Sequence, residues 1–314
     1  MRALKERLQA LRGGPVQDPR TPDTADLVRR IERLRSGRRS AREERVADDG
    51  ELARRLGAQV EAPGLLLLDA GLPRERFHGR LPLSALERPL PQLPGAEGRE
   101  ARDWLFLDTE TTGLSGGSGT LAFLVGIARF RAGCLEVRQY LITRFSGEEA
   151  MLRRLAGDIE GGETLVSYNG KSFDLPLLAT RLRLHRVENP LTDLPHLDLL
   201  HPVRRRFARQ WENCRLATVE RNLLGLARSG DLPGSEAPRA WLDYVRRGSW
   251  RPLQGVIRHN RLDLMSLAVL LPALERELAQ VLTEPRARRP EMPAVSGLRR
   301  DRGRLRNLRM ALGG

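Results

Sequence analysis

The sequence predicts an α/β layered fold, and three observations carry that expectation. Trp104-Leu105-Phe106-Leu107 is an unbroken apolar run that ends where Asp108 and Glu110 begin, which marks a buried strand. Leu121 to Arg131 and Leu135 to Arg144 are two more strand-like runs, joined by the tight turn Ala132-Gly133 and so expected to pair antiparallel. Helical and extended patterns then alternate: Met151, Leu152, Leu155 and Ile159 share a helix face, Thr164 to Tyr168 is extended, and Phe173 to His185 is helical again.

Residues 1 to 13 and 25 to 35 also show helical spacing, with Leu27, Ile31 and Leu34 on one face of the second. Between and after them lie Gly13-Gly14-Pro15 and the charged run Arg38 to Glu51, which bury too little apolar surface to offset ordering. Residues 1–50 are therefore expected to be a disordered or frayed helical extension. Residues 51–100 form an ordered lead-in with short strands at Leu65 to Leu68 and Phe77 to Leu83, then a linker carrying Pro89, Pro91, Pro94 and Gly95. The main domain is expected over 101–282. Within it Gly113, Gly116, Gly117 and Gly119 make a loop after the first strand, Glu148 and Glu149 favour a helix start, and Pro176 is tolerated in a first turn. Leu253, Val256, Ile257, Leu264, Leu267, Leu271, Leu274 and Leu278 trace a long amphipathic helix bent near Pro272. Residues 283–314 form a basic tail.

At 314 residues and 40% hydrophobic content the chain can bury a sizeable core. Its formal charge is +14, and of its 54 basic residues only Lys5 and Lys171 are lysine. Arginine's planar fork suits phosphate, so nucleic acid is the first partner to consider, although codon bias in a GC-rich genome gives the same excess. Cys134 and Cys214 are isolated, which excludes a cysteine zinc site and a disulfide scaffold and leaves a reducing cytoplasm as the expectation. The N-terminus lacks the apolar segment of a signal peptide, and Leu65 to Leu68 is too short to span a bilayer, so a soluble chain is expected.

Three acidic motifs carry chemistry. Asp108 and Glu110 stand two apart at a strand end and so point to one side, where two carboxylates repel unless a cation lies between them. Mg2+ or Mn2+ suits such a pair; the alternative is a capping acid beside a solvated one. The second motif is Asn169-Gly170-Lys171-Ser172-Phe173-Asp174, where the chain turns from a strand into a helix. Gly170-Lys171-Ser172 imitates the end of a phosphate-binding loop, but Leu165 stands where the leading glycine belongs. Asp174 either faces the cleft or caps the helix. In the third, His259 and Asp263 are one helical turn apart on one face. The run Arg204-Arg205-Arg206-Phe207-Ala208-Arg209 either tracks a phosphate backbone or is a solvated helix face. Asp198 is structural or lies outside the reacting groups. His196 and His201, five apart, do not share a helical face.

Taken together, Asp108-x-Glu110, Asn169-x-x-x-Phe173-Asp174 and His259-x-x-x-Asp263 resemble the DEDD superfamily of 3'-to-5' exonucleases. The YprB-type ribonuclease-H-like exonuclease domain is closer still. Its marks are Phe106 to Gly117, Asn213-Cys214-Arg215-Leu216 and Asp231-Leu232-Pro233-Gly234, and the resemblance covers residues 100–280. It implies a ribonuclease-H-like fold, with a central mixed five-stranded sheet flanked by helices. It implies two Mg2+ or Mn2+ ions held by Asp108, Glu110, Asp174 and Asp263, and His259 as general base in 3'-5' hydrolysis of a single strand. Thr109, Thr111, Asn169, Lys171, Phe173, Arg204 and Arg205 are the expected nucleic-acid contacts. The histidine departs from the superfamily's pattern: it lies four residues before the last aspartate, where a histidine usually lies five before and a tyrosine four before. One residue rotates a helical side chain by about 100°. Two rival readings stand beside this one, a nucleic-acid-binding platform with little or no catalysis and an endonuclease on the same fold.

Overall fold

The computed structural model describes residues 48–113 and 119–283. The N-terminal extension before Asp48, part of the glycine loop at 114–118 and the basic tail from 284 lie outside the described residues.

Helix α1 (Asp49–Leu56) opens the described chain; the Asp48 carboxylate accepts from the Glu51 amide at 2.7 Å, and Gly57 ends the helix in the left-handed region. Strands β1 (Gln59–Ala62) and β2 (Leu65–Pro73) follow, then the small hairpin of β3 (Phe77–His78) and β4 (Leu81–Pro82). Strands β5 (Trp104–Thr111), β6 (Ala122–Arg131) and β7 (Cys134–Ile142) come next. Helix α2 (Glu148–Asp158), strand β8 (Thr164–Ser167), helix α3 (Asp174–Leu184), strand β9 (His196–Asp198) and helix α4 (Leu200–Phe207) complete the alternation. Short helix α5 (Leu216–Val219), helix α6 (Ala237–Arg247) and the long α7 (Arg251–Thr283), with Pro272 inside it, end the described chain.

The main sheet has seven strands in the order β1-β2-β7-β6-β5-β8-β9. It is mixed: β5, β8 and β9 run parallel, and every other pairing is antiparallel. The α/β class stands as expected; β5, β6, β7 and β8 are the strands located in the sequence, and β9, not read there as a strand, completes the expected count of five. The other two, β1 and β2, are a correction to the strand count. The lead-in does not pack beside the sheet but extends it, because β2 pairs with β7 along its whole length, from Leu65↔Ile142 to Pro73↔Cys134. Leu65 to Leu68 are all buried, as in a strand covered on both faces.

Side-chain alternation along β5 sorts the core into two layers. Leu105 and Leu107 pack with Met151 of α2, Leu178 of α3 and Trp241 of α6. Trp104 and Phe106 pack with Val203 of α4 and with Leu264 to Leu274 of α7. Continuing that parity, Asp108 and Glu110 fall on the α7 side and Thr109 on the α3 side. The strand thus delivers its acids between two helices that carry acids of their own.

Close approach of α7 depends on Gly126, which pairs with Asp108 across β5 and β6. A Cβ there would stand 2.2 Å from Asn260 Oδ1 and 2.8 Å from Leu264 Cδ1. Gly126→Ala is expected to cost about 1–3 kcal/mol through overpacking, read as a lower midpoint in thermal denaturation. An unchanged midpoint would mean that α7 does not press on β6 here.

Candidate active site

Asp108 and Glu110 lie inside β5, paired with Gly126 and Leu124, so the extended backbone persists past both acids. Asn260 of α7, fully buried, donates its Nδ2 to Asp108 Oδ2 at 2.7 Å while Gln139 donates to Asn260 Oδ1 at 2.7 Å. This fixes the orientation of the Asn260 amide and aims its donor at the acid.

Asp174 is the first residue of α3, where a negative charge gains from the helix dipole. Phe173, not Asp174, holds the N-cap position, and no side chain caps that end. The Thr109 hydroxyl donates to Asp174 Oδ1 instead. Asn169, with a left-handed φ of 66°, turns the chain out of β8, and Gly170 leaves room: a Cβ on it would lie 2.3 Å from Ser167 Oγ. The Asn169 and Lys171 amides donate to the buried Asp198 at 2.7 and 3.0 Å, so a carboxylate takes the N–H groups that a phosphate loop would leave free. Asp198 is structural.

The four expected acids are brought together. Asp108 is held well above the carboxylate range, by burial first and then by the charges of Asp263, Glu110 and Asp174. Glu110 is pushed up to about 9 by burial and by Asp263, Asp174 and Asp231, against help from Arg228. Asp174 rises to about 6, mainly through burial, with the Thr109 hydrogen bond opposing. Acids that raise one another in this way are relieved either by protons or by a cation, and an all-oxygen donor set suits a hard divalent one.

One cation already reaches the cluster from within the chain. Arg228 pairs through Nη2 with both Asp263 and the buried Glu220, and its Nη1 lies 3.1 Å from Asp231 Oδ2. Glu220 also accepts from Ser266, whose hydroxyl is 2.7 Å from His78 Nε2. As the side chains stand, no group of three or more acidic, histidine or cysteine residues among those described is arranged to hold a metal ion. The four carboxylates offer oxygen donors and negative charge of the kind that suits a hard divalent ion, but Asp263 is committed to Arg228 in this arrangement. His259 Nδ1 lies 2.7 Å from Asp231 Oδ2, and its Nε2 is 3.6 Å from Asp263 Oδ2.

The expected nucleic-acid contacts divide into two groups. Thr109, Thr111, Asn169 and Phe173 line, with Asp108 and Asp174, a cleft of about 480 Å3. Phe173 is 55% exposed at that cleft. Lys171 and Arg205 line a separate hollow of about 460 Å3 with His196 and His201, and Arg204 is exposed on the same helix as Arg205. Phe207 corrects the arginine-run reading: it is buried and stacked on Trp211 at 4.0 Å, so no base can reach its face. A wider hollow, about 1020 Å3, lies by Asp103 at the far end of β5, where Arg131 and Glu160 pair at 2.5 Å; size alone does not mark the site.

Sequence reasoning missed Asn260, Glu220 and Arg228 as parts of this site. Asp231 was visible only as part of Asp231-Leu232-Pro233-Gly234, with no role attached. Neighbours at 260 and 259 differ by a third of a helical turn, so the adjacency to His259 was the available signal for Asn260.

The RNase_H superfamily profile matches residues 105–275. The protein YprB of Bacillus subtilis (strain 168), described as uncharacterized, is 33% identical over 222 residues, covering 68% of this chain. The chain spans about half the length of that relative, 54%. Among solved structures, E. coli exonuclease I in complex with a dT13 oligonucleotide is 11% identical at a TM-score of 0.39, covering 57% of this chain and 42% of that one. The EXO domain of Aedes aegypti Nibbler is 18% identical at a TM-score of 0.37, covering 63% of this chain and 84% of that one. No described helix is long and apolar enough to cross a membrane.

Proposed function

The chain belongs to the RNase_H superfamily, and on that premise we propose that it is a divalent-ion-dependent 3'-5' exonuclease acting on single-stranded nucleic acid. The observation that carries this reading is the meeting of Asp108, Glu110, Asp174 and Asp263, drawn from β5, α3 and α7, closely enough that burial and the charges of the cluster raise the proton affinity of Asp108, Glu110 and Asp174. These four would hold two Mg2+ or Mn2+ ions. When bound, such ions supply the charge that favours an attacking water and a departing 3' oxygen.

The chain's own groups do the rest. Asp108 is oriented by Asn260, and Asp174 by Thr109, so both donors are set before substrate arrives. His259 accepts the proton of the attacking water; the new bond forms at phosphorus, the bond to the 3' oxygen breaks, and a nucleoside monophosphate leaves. Phe173 offers an exposed ring for base stacking beside the acids, with Thr109, Thr111 and Asn169 lining the same cleft. Lys171, Arg204 and Arg205 would attract the strand farther out, since an acidic centre alone repels phosphate. A reducing cytoplasm is the compartment such a chain suits.

The test is release of labelled mononucleotide from a 3'-labelled single strand of DNA or RNA, with Mg2+ or Mn2+ and again with EDTA. Release that persists in EDTA, or none in any metal, overturns the proposal. A circular single strand, which has no 3' end, should survive; its cleavage would mean an endonuclease. The commitment of Asp263 to Arg228 favours the binding-platform reading, in which strand binding is retained without hydrolysis.

Deleting residues after Pro285 removes most of the segment 281–314, which carries nine basic and three acidic groups. Binding to a single strand is expected to weaken, and its dependence on salt to flatten by about 0.7 for each phosphate that the tail neutralises. An unchanged salt slope would remove the tail from strand binding.

A further inference from the structure

The geometry points to Asp231 as a positioning residue that fixes the tautomer and direction of His259, presenting the Nε2 lone pair to the carboxylate cluster. This rests on the proposed role of His259 as proton acceptor. It also answers how a histidine one position out of the usual place can still serve.

An ionised carboxylate only accepts hydrogen bonds, so the 2.7 Å contact between Asp231 Oδ2 and His259 Nδ1 requires the proton on Nδ1. The competing partner is Arg228 Nη1, a donor that would need Nδ1 bare, but it stands 3.5 Å away. The shorter contact decides the tautomer. Nε2 is then unprotonated in the neutral ring, and at 3.6 Å from Asp263 Oδ2 it is not consumed by a hydrogen bond there.

Asp231 is itself held in place from two sides. Arg228 grips it through Nη1 at 3.1 Å, while Nη2 is anchored on Glu220. The loop that carries Asp231 is clamped on α7: a Cβ on Gly255 would lie 3.2 Å from Leu232 Cβ, one helical turn before His259. Three residues past Asp231, Gly234 passes the other ring nitrogen, where a Cβ would stand 3.4 Å from Nε2. The segment from Asp231 to Gly234 therefore grips Nδ1, and at its glycine it adds no side chain beside Nε2.

The spectroscopic test needs no turnover. Nitrogen-15 NMR of the full chain labelled at histidine, at about pH 8.5 where an ordinary imidazole is neutral, should show His259 as the Nδ1–H tautomer. Assignment comes from the His259→Gln variant. In Asp231→Asn the Nε2–H form should appear, because the amide can donate to Nδ1. A wild-type ring in the Nε2–H form overturns the inference, even if Asp231→Asn does not fold.

The kinetic test is a double-mutant cycle on strand hydrolysis. Asp231→Asn should lower kcat by about 10^2- to 10^4-fold, the range of a positioned base, with KM within about two-fold. His259→Gln should fall equally, and the double variant no further. Mn2+ binding by titration calorimetry should be retained in Asp231→Asn, weakened only by the loss of one nearby charge. Multiplying losses in the double variant, or lost Mn2+ binding, would overturn the positioning role. A wild-type protein that hydrolyses no strand overturns the proposed function instead, and the tautomer still decides the claim for Asp231.

Discussion

Asp108→Ala and Asp263→Ala are each expected to abolish Mg2+- or Mn2+-dependent release of mononucleotides, a fall of at least about 10^3-fold, or about 4 kcal/mol of barrier. The two acids arrive by separate routes, one from the middle of β5 and one from α7, so losing either breaks the donor set from a different side. Neither change should unfold the chain. Asp108→Ala removes a charge that its neighbours disfavour and leaves Asn260 bonded to the Asp108 carbonyl oxygen at 3.2 Å. Asp263→Ala leaves Arg228 paired with Glu220 and Asp231. Thermal midpoints should therefore stay near or above wild type while activity disappears. Activity surviving at wild-type rate in either variant would defeat the assignment. Lost binding of Mn2+ without any wild-type hydrolysis would select the binding platform.

Local chemistry made part of this site legible before the fold was known. The run from Trp104 to Leu107 announces a strand, and a spacing of two puts Asp108 and Glu110 on one side of it. A spacing of four does the same for His259 and Asp263 on α7. What stayed hidden was tertiary: Arg228 lies in a coil and Glu220 in an earlier helical segment, and only the packing of α7 brings both to Asp263. The two extra strands were hidden for a different reason. Leu65 to Leu68 reads as a short apolar strand, but nothing in its own residues says that β7 is the partner. Phe207 was the opposite case. Leu200 and Val203, just before the arginine run, and Phe207 inside it form the buried stripe of α4, so the pattern that withdraws Phe207 from strand binding was already present.

Glu110→Gln is expected to make the metal-free protein more stable than wild type, by a margin that widens as pH rises. The carboxyl of Glu110 goes from its ordinary 4.5 to about 9 in the fold. With the folded value above the unfolded one, the native state binds more protons between those two pH values, so stability is lost as pH climbs from 4.5 towards 9. At neutral pH the gap in proton affinity is worth about 3 kcal/mol, counting about 1.4 kcal/mol for each pH unit above the unfolded value. Glutamine has no proton to lose, and as pH approaches 9 it also spares Asp108 the charge that Glu110 would develop beside it. Acids whose values are lowered, such as Glu148 beside Arg181 and Asp158 beside Tyr140 and Arg154, lose stability in the acid instead, but they do so in both proteins and cancel in the difference. Thermal denaturation of the two proteins in EDTA from pH 4.5 to 9 reads that difference directly. Adding Mn2+ should then raise wild type more than Glu110→Gln, because a ligand stabilises the state that binds it. A margin flat across pH would mean that Glu110 does not face the other acids, and the cluster that the nuclease proposal requires would be gone.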